Sequence, residues 1–187
     1  MTRPEPEPVT QERVTAALLT VDDLPDDTFT AADEGTSIAS DLVPEHECDD
    51  AIADLAPEAS ATADFTSPDA RLTSTVAWFP GGGDAVDQLY RQVAEACAEV
   101  VIPDTDVSLR TRGLNFGVLS DDTLALQMEL EPSSGPIEER DLIVMRDGDL
   151  ISLVRLTGPR PSDKELLDAV VRVAIGRLGL LAQQTTP

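Results

Sequence analysis

The sequence predicts an α+β fold: a single antiparallel β-sheet of about five or six strands, ending in a C-terminal meander, with helices packed against it. The first observation behind this is the stretch Thr123 to Thr157, where Leu124, Leu126, Met128 and Leu130 alternate with Ala125, Gln127, Glu129 and Glu131. That period of two marks a strand with one buried face and one wet face. The second is a pair of apolar runs, Leu142 to Met145 and Leu150 to Val154, flanking Arg146-Asp147-Gly148-Asp149. Asp147-Gly148 reads as a two-residue type I′ hairpin turn, because both residues tolerate the positive φ it needs. The third is a pair of segments, after Pro80 and after Pro161, whose apolar residues recur at three- and four-residue spacing and which read as helices covering the sheet.

In order along the chain, residues 1–9 form a proline- and glutamate-rich lead expected to be extended and solvated, 10–181 the domain, and 182–187 a fraying tail. Thr10 opens a helical pattern with Val14, Ala17, Leu18 and Val21 on one face, and Thr20 with Asp23 makes a capping arrangement for a short second turn ending at Pro25. Periodicity is weak from Asp26 to Glu47, which leaves a long loop with at most one short strand around Thr28–Thr30. Asp49 to Leu55, stopped by Pro57, reads as a short helix. Ala61 to Phe65 and Leu72 to Phe79 read as strands, with Trp78, the only tryptophan, as a core anchor. Asp84 is a natural N-cap for a helix whose inward stripe is Val86, Leu89, Tyr90, Val93, Cys97 and Val100. Val107 to Arg112 is another alternating strand. Ser162 and Glu165 make a capping box for a last helix that runs to about Leu181, with Leu167, Val170, Val171, Ala174, Leu178 and Leu181 facing inward.

The 187 residues are 41% apolar, enough for one domain with a sizeable core. The formal net charge of −23 would repel a nucleic-acid backbone or an anionic membrane surface, so neither is expected as a partner. The acid is front-loaded: residues 1–70 carry 18 acidic and 2 basic side chains (net −16), and residues 71–187 carry 18 and 11 (net −7). No apolar run is long enough to span a bilayer, and the opening does not read as a signal peptide.

These elements carry no catalytic constellation. His46 is the only histidine, so neither a zinc site nor a serine or cysteine nucleophile with its base can be assembled. Asp22-Asp23 and Asp26-Asp27 lack the central glycine and terminal glutamate of a calcium loop and read as solvated capping acids. Pro80-Gly81-Gly82-Gly83-Asp84 opens a helix as phosphate loops do, but no Gly-Lys-Ser/Thr follows and Asp84 would repel a phosphate. The chain is therefore expected to be no enzyme and to hold neither metal nor cofactor. Cys48 and Cys97 admit three readings: a disulfide, a pair of free buried thiols, or a redox couple, for which a close Cys-X-X-Cys spacing is usual. A disulfide would close a loop of about 50 residues, contribute roughly 4 kcal/mol and imply an oxidising compartment.

Several motifs occur in a recognisable order. Leu18-Leu19-Thr20-Val21-Asp22-Asp23-Leu24-Pro25 stands near the start, and Cys48 precedes a short helix. A strand ends in Trp78-Phe79-Pro80, a helix carries Ala96-Cys97-Ala98, and the Leu124 to Thr157 meander is followed by a last helix. This order resembles exported actinobacterial lipoproteins and kinase ectodomains of the PknH-like extracellular sensor type. The likeness covers about residues 14–181 and lies in order and spacing rather than in a catalytic signature. It implies a sheet with helices packed on it, a ligand cleft, pairing of Cys48 with Cys97, and an exported or lipid-anchored location. No lipidation cysteine or export segment is read in this sequence.

With the turn at Asp147-Gly148, Arg140 would lie opposite Arg155, and like charges directly across a ladder need neutralising. Glu129 would fall beside them if the loop from Pro132 to Ile137 closes symmetrically. The group is either a structural ion-pair cluster or a site where Arg140 and Arg155, with Arg110 and Arg112, receive a carboxylate or phosphate of a ligand. Two roles follow. One is a non-enzymatic extracytoplasmic binding or sensor domain for a small molecule, an envelope component or a protein. The other is an acidic assembly module whose N-terminal third docks on a basic protein. Membrane contact is expected only through a lipid anchor outside this chain.

Overall fold

The computed structural model describes residues 9–25, 29–32, 57–96, 98–101, 107–114, 122–159 and 163–185. Within them lie β1 (Thr30–Ala31), β2 (Ala59–Thr66), β3 (Arg71–Trp78), β4 (Glu99–Val101), β5 (Val107–Gly113), β6 (Thr123–Pro132), β7 (Glu138–Asp147) and β8 (Leu150–Pro159). They form one sheet in the order β1-β2-β3-β8-β7-β6-β5-β4, antiparallel at every pairing. Strands β4 to β8 are a continuous meander, and β8 then docks on β3, which places the last strand in the middle of the sheet. The expected architecture is present, but the strand count is higher than about five or six: seven strands of three residues or more, plus the two-residue edge strand β1. The additional strand is β4, which contains Val100. Val100 had fitted a helical stripe only because a short apolar run satisfies either period.

Helices cover both faces. α1 (Gln11–Ala16), a 3₁₀ turn (Val21–Asp23) and α3 (Lys164–Thr185) lie on one side. There Val14, Leu167 and Val170, with no exposed surface, pack with Phe65, Leu72, Ile143, Met145, Val154 and Leu156. α2 (Gly83–Ala96) lies on the other, where Val86 packs with Leu109, Leu126, Met128, Leu142, Val144, Ile151 and Leu153. Because side chains alternate along a strand, each strand contributes to both layers. β8 accordingly is buried without interruption from Leu150 to Leu156. The expectation of a wet face on β6 is corrected for the same reason: Gln127 is 2% and Glu129 6% exposed.

The inward stripe of α3 is as its spacing predicts, with Leu167, Val170, Val171, Ala174, Leu178 and Leu181 all buried. The helix runs on to Thr185, beyond its expected end near Leu181, and Ala182 is also buried. Its cap is Asp163, whose Oδ1 accepts from the backbone N–H groups of Glu165 and Leu166 at 3.0 Å each. Ser162 lies outside the described residues. Trp78 packs against the larger core while remaining partly exposed. Asp23 accepts from the Thr20 N–H at 2.7 Å, as the capping pattern predicts. It also accepts from Arg177 of α3 at 2.6 Å, and Arg177 donates to the Leu18 carbonyl at 2.8 Å. One arginine thus ties the N-terminal segment to the last helix.

The β7–β8 turn sits one residue later than expected. Asp147 pairs with Leu150, so the turn residues are Gly148 and Asp149, with Gly148 at φ 60°. The reason is tertiary. The Asp149 carboxylate accepts from the N–H of Gly81 at 2.7 Å and of Gly83 at 3.4 Å, and the Phe79 N–H donates to its carbonyl at 2.9 Å. An internal carboxylate therefore occupies the helix N-terminus that resembled a phosphate loop. Asp84 is not the cap; it lies in the first turn and pairs with Arg146 of β7. Gly83 has to be glycine, since a Cβ there would stand 2.1 Å from the Gly148 carbonyl oxygen.

Candidate functional site: charged groups held within the sheet

The one-residue shift regroups the arginines. Arg140 pairs with Thr157, and Arg155 pairs with Leu142 rather than with Arg140. On β3, Arg71 pairs with Thr157 and Thr73 with Arg155. Arg71, Arg140 and Arg155 therefore share the α2 face and surround Thr157, two as its cross-strand neighbours and one two residues before it. Arg155 is 9% exposed and its Nη2 donates to the Thr73 hydroxyl at 3.3 Å. The side chains of Arg140 and Arg71 are 24% and 40% exposed, so the group opens to solvent on both flanks.

The carboxylates of Asp64 and Glu138 bond to guanidinium groups of this cluster. Asp64 of β2 lies beside Thr73 in register and is itself buried. It accepts from the Thr73 hydroxyl at 2.6 Å and from Arg71 at 3.1 Å. Burial pushes its carboxyl upward, but the hydrogen bonds from Thr73 and Arg71 and the charges of Arg71 and Arg155 outweigh this and hold it below the usual aspartate value. Glu138 accepts from Arg140 Nε at 2.7 Å and is largely solvated.

The other predicted residues lie on the opposite face. Glu129 is not beside Arg140 and Arg155; it pairs with Glu139 on one side and Arg110 on the other. Arg112 Nε donates to Gln127 Oε1 at 2.7 Å, and its Nη2 stands 2.8 Å from Glu129. Gln127 Nε2 donates in turn to Glu139 and, at 3.0 Å, to Asp141, which has no exposed surface. Arg110 is more than half exposed and stands 3.7 Å from Glu99. The five residues expected at one site are thus split into two groups by the sheet itself. Arg71, which sequence reasoning missed, belongs with Arg140 and Arg155. Its only signal was strand alternation with Thr73, because the strand it pairs with is far along the chain.

Among the described residues no set of three or more Asp, Glu, His or Cys is arranged to hold a metal ion, and no helix is long and apolar enough to cross a membrane. Cys48, Cys97, His46, Asp26 and Asp27 lie outside the described residues, as do the expected helix from Asp49 to Leu55 and the side chains of Leu89, Tyr90 and Val93.

No protein-family model matches this sequence, and no curated protein does. Among solved structures, the fold is similar to the extracellular domain of PknH from Mycobacterium tuberculosis, with a TM-score of 0.65 at 14% identity, covering 95% of this chain and 98% of that one. The chain shares the fold of that domain, α+β with a single antiparallel sheet. A Bacteroides thetaiotaomicron protein gives a TM-score of 0.38 at 8% identity, covering 77% of this chain and 40% of that one. A STAR-related lipid transfer protein fragment from Xanthomonas axonopodis gives 0.33 at 11% identity, covering 85% and 99%. Likenesses this distant carry no argument.

Proposed function

We propose that the chain is a non-enzymatic, extracytoplasmic ligand-binding or sensor domain of an exported, lipid-anchored protein. The observation that carries this reading is the arginine group around Thr157. Removing charges from water costs several kcal/mol per ion, and an apolar packing of similar volume is often as stable. A fold that only had to be stable would gain little by placing Arg71, Arg140 and Arg155 together on its central strands. The end-to-end likeness to a domain described as extracellular supports the compartment, and this reading carries with it a pairing of Cys48 with Cys97, which an oxidising compartment would permit.

The test has two arms. Fusion to a reporter active only outside the cytoplasm should give signal when the full gene is expressed in its native host, and a signal confined to the cytoplasm would remove the compartment. Native mass spectrometry of the purified protein after incubation with a cell-envelope extract should show one or a few small-molecule adducts. A protein that retains nothing would remove the ligand role. The alternative role is an acidic assembly module, favoured by the net −16 of residues 1–70. It predicts retention of a basic protein instead, weakening steeply as salt is raised.

A further inference from the structure

We draw no further inference here: the strongest candidate, the outward face of α3, where Ile175 and Leu180 stand exposed beside Gly176 and Gly179, is an apolar helix face, and nothing in the structure shows what covers it.

Discussion

Replacing Gly83 by alanine separates this account from propensity alone. In a helix interior alanine is better than glycine by about 1 kcal/mol, so propensity predicts stabilisation. The structure predicts the opposite sign. An added Cβ would stand 2.1 Å from the Gly148 carbonyl oxygen and 2.9 Å from the Asp149 Cα, both backbone atoms. Relief requires the first turn of α2 and the β7–β8 turn to separate. That stretches the hydrogen bonds from Gly81 and Gly83 to the Asp149 carboxylate, each of a class contributing about 1.5–3 kcal/mol. Overpacking adds about 1–3 kcal/mol. Set against the propensity gain, and with the bonds partly kept, the net loss should be about 2–4 kcal/mol. For a domain of this size that is a fall in melting temperature of about 5–15 °C. Urea denaturation followed by Trp78 fluorescence measures it. A melting point unchanged or raised would refute the claimed contact, and with it the reason given for the register that sets Arg140 opposite Thr157.

Asp23 and Asp64 are both held below the usual aspartate value, so the unfolded chain takes up their protons first as pH falls. Their stabilisation is complete above about pH 5 and is lost as pH drops through the folded values, below about 4. A Tm-versus-pH curve should steepen there, and Arg177→Gln should flatten the Asp23 part while a flat curve would deny both pairings. Leu167→Ala should cost about 2–5 kcal/mol, because the side chain is fully buried between helix and sheet; a loss under about 1 kcal/mol would contradict the packing. Peptide mapping without reductant should recover Cys48 and Cys97 joined, and Cys48→Ser should cost roughly 4 kcal/mol. Two thiols reacting with an alkylating reagent in the native protein would refute the bond.

The strands and the last helix could be read because their residues repeat with the period of their own secondary structure. Leu167 to Leu181 needs no partner to declare an inward face. What could not be read depended on contacts made far along the chain. Whether Gln127 and Glu129 are wet is decided by what covers the second face of β6. Asp147-Gly148 and Gly148-Asp149 are both acceptable turns locally, and the choice falls to Asp149 because it bonds Gly81, 68 residues away. That single step replaced an Arg140–Arg155 pair with Arg140 opposite Thr157, whereas Glu129 lies on the other face because the β6–β7 register sets it opposite Glu139 rather than Arg140. Arg71 was invisible as a site residue because β3 meets β8 only through a long-range pairing.

The central claim is that the charges in the sheet serve a ligand rather than the fold, and the double variant Asp64→Leu with Arg71→Met, which removes both members of one ion pair, tests it most directly. Apolar replacement of a buried ion pair is often neutral or stabilising by about 1–4 kcal/mol. We predict a folded protein at least as stable as the parent in urea, with the small-molecule adducts from the envelope extract lost. A loss of more than about 2 kcal/mol with the adducts retained, against that expectation, would contradict the claim, because it would show Asp64 and Arg71 to be parts of the scaffold alone.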